Sequence, residues 1–266
     1  SAITAIQSPS SHKAISFIYM RPFSRMVLPR TSAARMGQPS AKIAYGKNLI
    51  AHETKAPGAA GLRGCGRDAT WRAMLNDTSS LKSHLATRRS GKARDMVAPG
   101  PDADELRAII ELALRTPDHG KLAPWRIITI APEQRDAFAA LLKQAWVAEN
   151  PGAAGMDLSA LDQFAHQAPT LLLLVSAPVA GSKIPLWEQQ MSAGAVGMNL
   201  LHAAHAHGYV GSWLTGWAAF SPNVGAAFGL REGDAIVGYF FIGTPGADLS
   251  ERPRPYYDEI VSAWDI

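Results

Sequence analysis

Cysteine is nearly absent: Cys65 is the single one among 266 residues. No intramolecular disulfide framework and no thiolate-only metal site can therefore be built, which suits a reducing compartment. Long hydrophobic runs are missing too. The longest, such as Leu171 to Val175, have the length of a strand rather than the ~18 residues of a membrane span, so no spanning helix is expected. There is no G-x-G-x-x-G, no Walker loop and no G-x-S-x-G, and the Rossmann, P-loop and α/β-hydrolase readings lack their defining feature. Acidic residues are scarce at one end only. Residues 1–80 hold 11 Lys or Arg against 3 acids, a net of +8, which leaves 15 basic and 19 acidic groups, a net of −4, for the rest.

Residues 1–77 are rich in Ser, Ala, Gly and Arg and carry no sustained period of 3.6 or 2, so they are expected to be a disordered basic extension. Three readings stay open for it: an organelle transit peptide, a nucleic-acid-binding arm, or an upstream extension without an evolved role. Met74, just before the first good helix signal, is a natural start. If that is the true start the compartment is the cytoplasm; an organelle follows if the extension is cleaved.

What is present from Thr78 onward is regular punctuation, consistent with one domain over 78–266. Thr78 and Ser79 can cap a helix carrying Leu81 and Leu85, which ends at Arg88-Arg89-Ser90-Gly91. Asp102 with Glu105 predicts a capping box, followed by a helix with Leu106, Ile109, Ile110, Ala113 and Leu114 on one face that stops before Pro117. Strands are expected at Trp125–Ile130, Thr170–Val175, Tyr209–Leu214 and Ala235–Ile242. Helices are expected at Pro132–Trp146, Leu158–Gln167, from Ser221-Pro222, and from Glu188 to His207, where Gly208 is a good cap. Strands separated by helices indicate an α+β or three-layer fold and not an all-helical bundle.

Four segments concentrate chemistry. Arg88, Arg89 and Ser90 offer two guanidinium forks and a hydroxyl, suited to phosphate, although a solvated helix end would look the same. The loop from Arg115 to Arg126 crowds polar, cationic and aromatic groups, His119 among them, between two rigid elements. Trp187 to Gly194 leads into a helix with Ala193, Gly194, Ala195 and Gly197, small residues that allow close helix packing, as at a subunit interface. In Gly208-Tyr209-Val210-Gly211-Ser212-Trp213-Leu214-Thr215-Gly216, glycines would let backbone N–H groups approach a flat ligand. His202, His205 and His207 have no acidic neighbour in sequence and sit where the helix dipole favours a cation, so no metal is assigned to them.

Taken in this order, the four segments resemble the nitroreductase family, in particular its small bacterial branch of NAD(P)H nitroreductases, over Leu81 to Ile266. The resemblance implies an α+β, three-layer α/β/α sandwich with a central, mainly antiparallel sheet, and a homodimer with FMN at its interface. It implies FMN contacts from Arg88, Arg89 and Ser90, then from Arg115 and His119, with His119 reaching the flavin of the partner subunit. Trp213, Leu214 and Thr215 resemble the segment along the ring, with Leu214 where the branch often carries arginine. Ala203 falls where relatives place a nicotinamide contact and offers shape alone. Arg252 or Arg254 adds to phosphate binding, Arg252 being favoured.

The activity implied is hydride transfer from NAD(P)H through FMN to electron-poor acceptors such as nitroaromatics or quinones, in ping-pong turnover without an obligatory acid or base residue. The alternatives are a reductase or dehydrogenase of one specific metabolite on the same fold, or a non-enzymatic flavin or nucleic-acid binder using the basic arm. An arm of +8 on a domain of −4 lacks a folded basic face and argues against the last.

Overall fold

The computed structural model describes residues 75–152 and 158–265. The expected extension up to residue 74, Cys65 within it, and most of the Gly152–Gly155 break lie outside the described residues. The first helix, α1 (Leu81–Thr87), is capped by Ser80, whose hydroxyl accepts from the Ser83 N–H at 3.0 Å. Thr78 and Ser79 do not cap it, because the turn before it is already tied by the Asp77 carboxylate, which accepts from Ser79 N. Asp102 caps α2 (Ala103–Ala113) with both halves of the predicted box: its carboxylate accepts from Asp104 and Glu105 N–H, and Glu105 accepts from Asp102 N–H.

After Pro132, a single 3-10 turn leads into α3 (Arg135–Glu149); α4 spans Ser159–His166 and α6 spans Pro222–Ala227. The longest helix, α5, runs from Leu186 to Ala206. It closes where Gly208, at φ +86°, takes the left-handed conformation that a side chain resists, and Tyr209 N–H returns to Ala204 O at 3.0 Å.

The strands are β1 (Met96–Val97), β2 (Trp125–Ile130), β3 (Thr170–Ser176), β4 (Val210–Leu214) and β5 (Ala235–Pro245). Every pairing among them is antiparallel. Their order is β1-β5-β3-β2, and β4 shares with β1 the edge of β5 that β3 does not use: Val210–Leu214 pairs with Tyr239–Gly243, then Met96–Val97 with Thr244–Pro245.

Both faces of the sheet are covered, and that explains why the strands read as continuous apolar runs. Leu171, Leu173, Val175, Tyr239 and Phe241 face Phe138, Ala139 and Leu142 of α3 and Ala165 of α4. The alternate residues Leu172, Leu174, Phe240 and Ile242 face Ile109 and Ala113 of α2 and Val196, Leu200 and Leu201 of α5. The result is a three-layer α/β/α arrangement, and each fully buried Leu or Phe contributes about 2 kcal/mol. Leu114, expected on the buried face of α2, is instead 43% exposed, since it follows the last helical residue and the backbone turns away there. Among the described residues no helix is long and apolar enough to cross a membrane.

Candidate active site

Arg88 leaves α1 with an extended backbone, and the segment Arg88–Gly91 is fixed from two sides. The Asn76 side chain accepts from Arg89 N–H at 2.7 Å and donates to Arg89 O at 3.0 Å, while Gly91 N–H donates to Gly211 O of β4 at 3.2 Å. The C-terminal segment folds back onto the same residues. Arg89 Nε donates to Ser250 O at 2.7 Å, and Arg254 donates to Arg88 O at 3.3 Å and to the Glu251 carboxylate at 3.1 Å. Arg88 itself donates to the Ser90 hydroxyl at 3.2 Å. Arg252, an exposed residue, holds Glu251 through its backbone N–H. The structure thus separates the two candidate cations: it is Arg254 that reaches Arg88.

These arginines are not a solvated helix end. The Arg89 side chain is only 19% exposed. Burial lowers the Arg88 pKa, as does repulsion from Arg254, Arg89 and Arg252; of the charged neighbours acting on it, Glu251 alone opposes. Guanidinium groups held this close to one another, with the single Glu251 carboxylate shared between Arg89 and Arg254, favour a further anion between them.

Behind Arg88 lies a cluster that sequence reasoning missed. His84 Nε2 and His202 Nδ1 are 2.8 Å apart, and His84 also meets the His205 ring edge-on at 5.3 Å. Burial first, with repulsion from Arg88, lowers the pKa of all three; His84 adds to this at His202 and His205, and the His205 pKa falls to about 3. His202 and His205 therefore do not serve as cations matched to the helix dipole, as their place in the last turns had suggested; desolvation outweighs the dipole. Among the described residues no set of His, Cys, Asp and Glu converges as a metal site. His84 and His202 form one wall of a groove of about 740 Å³ that also takes in Arg115, Asn199 and Ala203.

The loop after α2 runs antiparallel along α5 and is held there by three side chains. Asn199 donates to Thr116 Oγ1 at 2.8 Å, Ser192 donates to Pro117 O at 2.6 Å, and Glu188 meets His119 Nδ1 at 2.8 Å. Glu188, Ser192 and Asn199, at i, i+4 and i+11, share one face of the helix, and that spacing is the signal that could have revealed this. Arg115 and His119 are exposed at opposite ends of the stapled stretch, and the Asp118 carboxylate accepts from Ala123 N–H at 2.8 Å to close the turn. From Glu188 to His202 is fourteen residues of helix, about 21 Å. One protomer therefore holds the Arg88 group and His119 toward opposite ends of α5.

The Trp213 indole is committed to packing. Its Nε1 donates to Val237 O at 2.9 Å, and its ring lies over Phe240 and against Gly197 and Gly238, where any Cβ would collide with it. Leu214 is half-buried and Thr215 and Gly216 are exposed. At the end of this strand those residues and their backbone are open to a ligand.

The model described as the Nitroreductase family matches residues 85–244. A curated Escherichia coli K12 protein, YdjA, whose name describes an NAD(P)H nitroreductase, is 38% identical over 164 residues, which is 60% of this chain and 86% of that protein. Among solved structures, a nitroreductase-like protein from Bacillus cereus superposes with TM-score 0.59 at 20% identity, over 70% of this chain and 97% of that one. The NADPH:FMN oxidoreductase of Vibrio harveyi, complexed with NAD+, superposes with TM-score 0.51 at 18% identity, over 68% and 75%.

Proposed function

The chain belongs to the nitroreductase family, and we propose that it is an FMN-dependent oxidoreductase that takes hydride from NAD(P)H and reduces electron-poor acceptors such as nitroaromatics or quinones. The FMN-binding domain of this reading spans residues 78–266, the donor leaves before the acceptor enters, and the enzyme works in the cytoplasm as a homodimer. The observation that carries it is the cationic pocket at Arg88–Ser90: Arg89 and Arg254 close around Arg88 with Glu251 as the one opposing charge acting there. That donor set fits the dianionic phosphate of FMN, because guanidinium forks bind phosphate oxygens in pairs and Ser90 adds a hydroxyl.

When bound, FMN supplies the redox chemistry, accepting hydride from NAD(P)H and passing electrons to the acceptor. The residues of this chain supply binding, orientation and electrostatics. Arg88, Arg89 and Ser90, joined by Arg254 more than by Arg252, hold the phosphate. Thr215 and the backbone at the end of β4 offer donors that stabilise negative charge developing beside them. Leu214 gives an apolar contact where the branch often carries arginine, and Ala203 in the groove wall gives the nicotinamide shape alone.

The homodimer is supported by α5. Trp187, Met191, Gly194, Ala195 and Met198 form a stripe at i, i+4, i+7, i+8 and i+11; Trp187 and Met191 are exposed, and a Cβ on Gly194 would meet nothing. Two such helices crossing antiparallel about a twofold axis near Gly194–Ala195 would bring His119 of the partner subunit toward the Arg88 end, closing the gap of about 21 Å. Arg115 is assigned to the cofactor on its place in the same groove as Ala203.

The test is spectroscopic. The expected result is yellow protein that takes up FMN, is bleached anaerobically by NADPH or NADH and regains colour with a nitroaromatic or quinone. Arg254→Ala is expected to weaken FMN binding more than Arg252→Ala, by about tenfold for one charge-assisted hydrogen bond. Colourless protein that takes up no FMN overturns the reading.

A further inference from the structure

The contact between His119 and Glu188 joins a loop residue to a helix residue 69 positions away, at 2.8 Å between Nδ1 and Oε2. A carboxylate can only accept a hydrogen bond, so Nδ1 must carry the proton, and the other ring nitrogen, Nε2, is left with a free lone pair when the ring is neutral. The His119 side chain is 66% exposed while that of Glu188 is 33% exposed, so the anchored edge is the inner one and the ring is the part presented outward. The loop is tied down on both sides of the pair. Ser192 and Asn199, one and three turns further along α5, hold Pro117 O and Thr116 Oγ1, and Asp118 fixes the turn that follows. Glu188 is itself placed by the first turn of α5, where its N–H donates to Pro185 O at 3.1 Å. Trp187 and Met191, the exposed apolar residues on either side of it in sequence, belong to the stripe read above as the subunit contact.

We propose that Glu188 is a positioning residue: it fixes His119 as the Nδ1–H tautomer, so that Nε2 is offered across the subunit boundary as a hydrogen-bond acceptor for an N–H or O–H of the bound cofactor. The ligand half of this inference rests on the function proposed above; the tautomer half does not. The ring orientation is then fixed before any ligand arrives, which lowers the ordering cost of binding. It also makes the site selective for a donor group, since a second acceptor facing Nε2 would leave two lone pairs opposed.

The experiment is a long-range 15N–1H correlation spectrum of the histidine rings in the full-length protein, with and without FMN, His119 being assigned by its loss in His119→Ala. Wild type is expected to show the Nδ1–H pattern. Glu188→Ala is expected to shift it toward Nε2–H and to weaken FMN binding about five- to tenfold, the size of one net hydrogen bond. Glu188→Gln, whose amide oxygen can still accept from Nδ1, is expected to restore most of both. In the His119→Ala background, Glu188→Ala is expected to cost nothing more. An unmoved ring pattern in Glu188→Ala overturns the proposal, as does an equal loss of affinity in the His119→Ala background, which would make Glu188 merely structural. Wild-type protein that takes up no FMN overturns the functional reading and the ligand half with it, whereas the ring pattern still decides whether Glu188 sets the tautomer.

Discussion

His205 is 2% exposed, its Nδ1 has no partner, and its Nε2 faces Gly211 N–H at 3.4 Å, so it can be accommodated only as a neutral ring. Its pKa of about 3 lies below the value of 6.5 in the unfolded chain. The unfolded state therefore binds the proton first as pH falls. The stability His205 gives is complete above pH 6.5 and is lost progressively toward pH 3, at up to about 1.4 kcal/mol per pH unit. His84 and His202 shift in the same direction, while His166, held by the Asp162 carbonyl and the Asp136 carboxylate, shifts in the opposite one and is well exposed. The depressed carboxylates, such as Asp162 and Asp234, lose their contribution only at lower pH. Urea unfolding is accordingly expected to show wild type losing stability from pH 7 to pH 5 and His205→Gln losing distinctly less. Equal losses would show that this ring does not set the acid limb.

At the scale of elements, two glycines on one helix have opposite reasons to be there. A Cβ on Gly197 would lie 2.7 Å from the Phe240 ring and 3.2 Å from the Trp213 ring, both rigid, whereas one on Gly194 would meet open space. Gly197→Ala is expected to destabilise the fold by about 1–3 kcal/mol despite the better helix propensity of alanine, and chemical denaturation checks it. Gly194→Ala should leave the protomer's fold intact or slightly firmer, any cost falling on the contact between subunits. Gly197 stood among the small residues legible in the sequence, yet nothing local distinguished it from Gly194, because the rings that crowd it come from β4 and β5. The same division runs through the whole reading. The capping box at Asp102, the cap at Gly208 and the strands 125–130 and 170–175 were legible because local chemistry and periodicity decide them. The Ser80 cap, the two-residue β1 and the pairing of Glu188 with His119 were not, since their partners were either competing neighbours or far away in sequence. Of the candidate site, the structure brings Arg254 against Arg88 and Arg88 against Ser90, whereas Arg252, the arginine favoured from the sequence, engages only through its backbone N–H. Trp213, expected along the ligand, packs its indole on Phe240 and donates to Val237 O, contacts from distant β5 that no local pattern announces.

For the molecule as a whole, exposed apolar surface is the feature that demands a partner. Trp187 and Met191 on α5, Leu81 and Leu85 on α1, and Tyr256, Tyr257, Ile260 and Trp264 around the last helix, α7 (Tyr257–Ile260), are all more than half exposed in the protomer. Placing a charge in the stripe, as in Met191→Lys, is expected to convert a dimer to a monomer in sedimentation experiments and to lose FMN with it, since His119 and Arg88 would no longer meet. A dimer that persists with full FMN affinity would move the interface elsewhere. The sheet carries a different consequence. Its hub, β5, pairs with β1, β3 and β4 and comes after them along the chain, the last strand among the described residues. Until residues 235–245 have been made, β4 and β1 have no strand to join, and the apolar run 171–175 lacks its neighbour on one edge. A nascent chain of this protein must therefore shelter its most aggregation-prone segment until residues 235–245 have been made, and messages truncated before residue 235 should yield material for chaperones and proteases rather than a smaller enzyme.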